Sequence, residues 1–134
     1  MIYAVIDTNV FVSAFITNNK NAATSVVFQH VLCGDVIPLY NEEIILEYKE
    51  VLSRKKFHLE EDTVTDFINT IKECGIHEDR APYGEAMPDE DDMVFLEISL
   101  SREDSFLVTG NLRHYPSLPE VLTPSEFIAR FFAS

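Results

Sequence analysis

Ile2-Tyr3-Ala4-Val5-Ile6-Asp7-Thr8-Asn9 decides how this chain is read. Five apolar or aromatic residues run without a break, then a carboxylate and two small polar side chains follow. A run that short, with no alternation, is the pattern of a strand covered on both faces. Such strands belong to parallel sheets, whose ligands sit beyond the strands' carboxyl ends. Asp7 falls at that end. Asp, Thr and Asn are also helix-entry residues, so the same stretch reads equally well as the start of a helix. What separates the two readings is whether other acids converge on Asp7.

The chain has 134 residues, the size of one domain spanning 1–134. A chain of this length buries roughly two thirds of its unfolded surface and needs no staple. Apolar residues make up 46% and charged residues 25%, the profile of a globular protein. No repeat, no secretory leader pattern and no apolar run of membrane-spanning length is present, so a membrane role is not expected. Cys33 and Cys74 form no CxxC pair, and they read as small buried apolar residues in a reducing, cytoplasmic setting. The net charge of −13 opposes general adhesion to nucleic acid and favours basic partners or bound cations.

Along the chain, Val10–Ile16 and Ala22–Leu32 carry helical patterns, the second closed by Gly34. Val36–Tyr40 reads as a strand, with Pro38 suggesting a sheet edge or a strand end. Asn41 caps a helix over Glu42 to about Lys56. Glu60–Cys74 is another helix, ended by Gly75, and Ile76–Ala81 a short strand. Pro82, Gly84 and Pro88 mark a loop. Asp89–Leu100 is a helix with an acidic start and Ser105–Val108 a buried strand. A turn or short helix follows over Arg113–Pro119, then a last strand over Glu120–Leu122 and a final helix over Ser125–Phe132. Strands alternating with helices predict an α/β fold of three layers, α/β/α, with a short, mainly parallel central sheet.

Three further places hold candidate chemistry. Glu47 shares a helix face with Ile44 and Val51, at the border of an apolar stripe, where a carboxylate needs a partner. An ordinary surface glutamate paired one turn away satisfies the same pattern. Asp89-Glu90-Asp91-Asp92 puts four acids in a row. A helix N-terminus favours anions by about 0.3–1 kcal/mol each, which accounts for one or two of them and not four. Asp92 lies three and four residues before Phe95 and Leu96, on their inward face, while Asp89 takes the cap position. Thr109 and Asn111 follow the strand Ser105–Val108 as Asp7 follows the first, although Thr-Gly-Asn is also common turn chemistry. Carboxylates at the ends of separate elements make a set of hard oxygen donors suited to Mg²⁺ or Mn²⁺. His30, His58, His77 and His114 are scattered and read as structural or solvent-facing. No P-loop, GxSxG or GxGxxG is present.

Four blocks in this order resemble the PIN-domain nucleases, in particular the branch of toxins from toxin–antitoxin pairs. Val5-Ile6-Asp7-Thr8-Asn9-Val10 is similar to the family's opening strand and first acid. Ile44 to Leu52 is similar to its helix-borne block, with the acid on Glu47. Pro88 to Leu96 matches its third block, with the acid on Asp92, and Leu107-Val108-Thr109-Gly110-Asn111 its last. The resemblance implies an α/β/α domain and metal-dependent cutting of single strands, with Asp7, Glu47 and Asp92 holding the ion. One departure stands out: many PIN nucleases carry an acid where this chain has Asn111.

The leading expectation is therefore a Mg²⁺- or Mn²⁺-dependent endoribonuclease hydrolysing single-stranded RNA, the toxin of a pair with a small antitoxin protein. Asp7, Glu47 and Asp92 are its catalytic and metal-binding residues. Thr8, Asn9, Asp89, Thr109 and Asn111 are its substrate-contacting or supporting ones, with Arg113 beside them. The acidic surface suits a basic antitoxin peptide, and the resemblance makes a homo-oligomer a further expectation. The alternative is a PIN-like binding or regulatory module of weak or absent activity, motivated by Asn111 and the net charge. A phosphoaspartate protein ranks last, for want of a paired acid after the first strand.

Overall fold

The computed structural model describes residues 1–133. Five strands form one sheet: β1 (Ile2–Ile6), β2 (Val36–Tyr40), β3 (Ile76–His77), β4 (Ser105–Val108) and β5 (Val121–Leu122). Their order across the sheet is β3-β2-β1-β4-β5, and every adjacent pair is parallel. Six α-helices flank it: α1 (Thr8–Ile16), α2 (Ala23–Leu32), α3 (Glu42–Leu52), α4 (Glu61–Cys74), α5 (Met93–Ser99) and α6 (Pro124–Phe131). The sheet is thus wholly parallel, and each of its longer strands is covered on both sides. Among the described residues no helix is long and apolar enough to cross a membrane.

The strand order follows from the chain's winding. From β1 it runs outward to β2 and β3, then returns to β1's other side as β4 and continues to β5. The crevice between β1 and β4 is where the winding reverses, the place where open α/β sheets bind ligands. The backbone amide of Asp7 donates to the Val108 carbonyl at 2.9 Å, so this pairing continues one residue past β1. The ends of β1 and β4 therefore stay side by side.

The unbroken apolar run in β1 is explained by burial: Ala4, Val5 and Ile6 are wholly inaccessible. Phe11 of α1, Tyr48 of α3 and Phe67 of α4 form an edge-on aromatic cluster with ring centroids 4.8–6.0 Å apart. Such pairs add about 0.5–1.5 kcal/mol beyond their area. The Tyr48 hydroxyl also donates to the Ile6 carbonyl, the residue before Asp7. That bond fixes the register of α3 against the exit of β1.

Several expectations need correcting. Pro38 lies in β2, an interior strand between β1 and β3. It is tolerated because β3 pairs only with Leu39 and Tyr40, starting just past the proline. Gly75 makes room there: a Cβ at Gly75 would collide with the carbonyl oxygens of Pro38 and Ile71. The strand expected over Ile76–Ala81 is only Ile76–His77. The chain then turns away, and Arg80 bonds Glu43 of α3 and the buried Glu97 of α5 instead of a strand. α3 ends at Leu52, with Ser53 as its cap and Arg54 extended, and Lys55–Phe57 form a separate 3₁₀ turn. The acidic helix is likewise divided, into a 3₁₀ turn over Glu90–Asp92 and then α5. Cys33 and Cys74 are exposed, not buried: each stands at the carboxyl end of a helix, turned away from the core.

Candidate active site

Asp7 stands at the exit of β1 with 4% of its surface accessible. A carboxylate so buried needs donors. Two hydroxyls supply them on the same oxygen: Thr109 Oγ1 donates to Oδ2 at 2.8 Å and the Tyr115 hydroxyl at 2.9 Å. Burial pushes the Asp7 carboxyl above its ordinary pKa, and the two hydroxyls pull it only partly back.

Glu47 arrives from α3 and is half-buried. The Thr8 hydroxyl at the start of α1 donates to its Oε2. Its pKa is raised by burial; the Thr8 hydroxyl opposes the shift, and the charges on Asp7 and Asp92 reinforce it. No lysine or arginine pairs with Glu47 among the described residues. The ordinary surface pairing allowed by the sequence is therefore not what the fold provides.

Asp92 comes from the 3₁₀ turn before α5. Its side chain is 15% accessible, and its Oδ2 lies 2.9 Å from His114 Nδ1. Burial, and then the charge on Asp7, push its carboxyl up to about 6, against the contact with His114. Asp89 caps the same turn, its Oδ1 accepting from the Asp91 amide at 3.0 Å. Its other oxygen lies 3.8 Å from His114 Nδ1. Potential ligand atoms of Asp89, Asp92 and His114 all lie within 4.8 Å of one another.

These groups share one open cleft of about 310 Å³, lined by Asp7, Thr8, Asn9, Glu47, Asp89, Asp92 and His114 with Val12, Val51 and Phe57. Thr109 lies beneath it, fully buried against Asp7. Asn111 is reached through His114, its Nδ2 lying 2.8 Å from Nε2. A second cleft of about 480 Å³ adjoins the first at Asn9. It is lined by Asn9, Ser13, Thr24, Gly110, Asn111 and Arg113 and holds no carboxylate. Asn9 bridges the two, its Oδ1 accepting from the Gly110 amide at 3.2 Å.

Sequence reasoning missed His114 and Tyr115. The sequence makes His114 structural or solvent-facing; its side chain is 43% exposed and its ring faces two acids of the cleft. Both residues sit in the turn after β4, where no periodicity marks an inward direction. Their only signal was closeness in sequence to Thr109 and Asn111. Glu97 was missed as well. Buried in α5, it accepts from Arg80 Nε at 2.7 Å and the Tyr83 amide at 2.8 Å, tying down the loop that leads to Asp89.

The donor set suits a hard divalent cation. Carboxylates from three elements face one cleft; burial raises the pKa of each, and the neighbouring carboxylates raise those of Glu47 and Asp92 further, a cost that a cation among them would relieve. No thiol lines the cleft. Compared with known protein families, residues 3–113 match the model described as the PIN domain. No curated protein matches the chain.

Proposed function

The chain belongs to the PIN-domain family, whose members are generally nucleases, and from that premise we propose that it hydrolyses phosphodiester bonds in single-stranded RNA with Mg²⁺ or Mn²⁺ as cofactor. The observation that supports this reading is that Asp7, Glu47 and Asp92, from three separate elements, line one cleft, in which the group close enough to share an ion is Asp89, Asp92 and His114. Asp7, Glu47 and Asp92 would hold the ion, with Asp89 at the rim. The chemistry such a cation supplies is an activated water and compensation for the charge on the phosphoryl group.

The protein's own part is to place oxygens. Thr109 and Tyr115 hold one oxygen of Asp7, Thr8 holds one of Glu47, and His114 holds one of Asp92. Asn9 and Asn111 line the adjoining cleft with Arg113, where a strand's phosphates meet one positive charge and no carboxylate. That local absence of acids, with Arg113 present, answers the difficulty posed by the net charge of −13.

In this proposal the protein is the toxin of a toxin–antitoxin pair, acting in the cytoplasm and restrained by a small basic antitoxin. The support is the resemblance of its four blocks to that branch and its acidic composition. Co-purification with a basic protein encoded alongside it tests this part. A second reading, a binding module that does not cut, is favoured by Asn111, which brings no charge to the site and is engaged with His114.

The deciding experiment is RNA cleavage with Mn²⁺ by the wild type, Asp7→Asn and Asp92→Asn. Loss of cleavage in both variants is the expected result, and full activity in both rejects the assignment. A wild type that cuts nothing and whose melting temperature does not rise with Mn²⁺ supports the binding module instead.

A further inference from the structure

The turn after β4 does more than end a strand. Its backbone amide at Asn111 donates to Thr109 Oγ1 at 3.1 Å, and that hydroxyl donates onward to Asp7. Tyr115, at the far end of the same turn, donates to the same oxygen of Asp7. Between them, Asn111 Nδ2 lies 2.8 Å from His114 Nε2, and His114 Nδ1 lies 2.9 Å from Asp92 Oδ2. One seven-residue stretch thus grips acids from β1 and from the turn before α5.

The chemistry of these atoms sets the direction of the bonds. An ionised carboxylate only accepts, so Nδ1 of His114 carries a proton toward Asp92. The Asn111 amide presents its nitrogen, a donor, so Nε2 keeps its lone pair and accepts. The order is Asn111 to His114 to Asp92, each donating to the next. The imidazole is further held between Asp92 and Asp89 in a turn braced by Thr109.

We infer that His114 is a positioning residue for Asp92: it is locked as the Nδ1–H tautomer by Asn111, aims the carboxylate into the cleft, and does not itself bind the cation. The inference rests on the reading of the cleft as a cation site and adds the role of two residues to it. It gives Asn111 a task where a carboxylate would be expected, since an acid at 111 could not donate to Nε2. Carboxylates that bind metals are themselves oriented by hydrogen bonds, and loss of an orienting partner typically lowers metal affinity 10–100-fold.

Long-range ¹H–¹⁵N correlation spectra of the full chain test this, with His114 assigned by comparison with His114→Asn. A proton on Nδ1 and a bare Nε2 are expected, both without metal and with saturating Mg²⁺. Asn111→Ala should lose the single tautomer without touching Asp92. Mn²⁺ titration should show affinity reduced about 10- to 100-fold in His114→Ala and less in Asn111→Ala, with melting temperatures without metal near the wild type's because both side chains are partly exposed. The inference is overturned if Nδ1 loses its proton on Mg²⁺ loading, which would make His114 a ligand. It is equally overturned if the Nε2–H form predominates, or if His114→Ala binds Mn²⁺ as tightly as the wild type. Failure of the wild type to bind Mn²⁺ at all sinks the cation site and this inference together. Tight wild-type binding with an indifferent His114→Ala sinks only the role of His114.

Discussion

Tyr115 donates its hydroxyl proton to the Asp7 carboxylate at 2.9 Å across 108 residues of sequence. The bond is buried, and it links the first strand to the turn that follows the fourth. It shows why Asp7 can be kept as an acid in a place where burial disfavours its charge: the donors arrive from the other side of the switch in winding. The phenol is affected in return, its own ionisation pushed far upward by burial and by the charge on Asp7.

Removing that hydroxyl should therefore be felt. Tyr115→Phe is expected to lower stability by about 1–3 kcal/mol, because a buried acceptor loses one of its two hydroxyl donors. Urea denaturation of the Mg²⁺-loaded protein measures it. An unchanged midpoint would mean the bond adds nothing to the fold.

The acids themselves oppose folding when no cation is bound. Asp7, Glu47 and Asp92 all have raised pKa values, so their charged forms are the unfavourable ones. For Asp92 the value moves from 3.8 to about 6. A group raised in this way contributes stability that is fully present below its unfolded pKa and is lost as pH rises through the folded one. Asp92→Asn cannot ionise and should escape that loss. Without metal, the variant should gain on the wild type in melting temperature between about pH 4 and about pH 7. With Mn²⁺ the order should reverse at neutral pH, because only the wild type is stabilised by the ion. Parallel melting curves across the pH range would contradict the assignment of Asp92.

Arg113 lines the cleft without carboxylates beside the acidic one. In an Asp7→Asn background, which leaves substrate uncut, Arg113→Ala should weaken binding of a single-stranded RNA oligonucleotide. The slope of log affinity against log salt should fall by about 0.7, the value for one phosphate contact on a single strand. Fluorescence anisotropy at several salt concentrations gives the slope, and an identical slope would remove Arg113 from the interface.

Gly75 offers a purely structural test. Its backbone is extended, a conformation open to any residue, so only space is at issue. A Cβ there would sit 2.7 Å from the Ile71 carbonyl oxygen and still closer to that of Pro38. Gly75→Ala should destabilise by about 1–3 kcal/mol through overpacking, read by denaturant titration. A neutral result would show that α4 and β2 can part at no cost.

What could be read in advance depended on how each residue is fixed. Asp7 was legible because a run of buried apolar residues points straight at it. Asp92 lines the cleft, although the helix expected to carry it together with Phe95 and Leu96 begins only at Met93. Glu47 was ambiguous, since the sequence cannot show that Thr8, 39 residues away, meets it. His114 and Tyr115 were illegible, because their directions are set by a turn whose shape depends on Thr109 and on acids elsewhere in the chain. Pro38 misled because its usual place is at an edge, whereas here the outer neighbour is too short to need its missing donor. The cysteines misled because a tendency to burial is not a position. The parallel α/β architecture was plain from the alternation of patterns, while the ends of α3 and of the acidic segment were decided by tertiary contacts.

The brevity of β3 and β5 reaches beyond the sheet they border. Each pairs through two residues, so an extended peptide adding itself to either flank would find only two rungs to climb. Growth by strand addition is thereby discouraged on both sides, a safeguard for a molecule whose central strands are so apolar. Any companion, whether a second copy or a small peptide, is left to approach through the helices and turns.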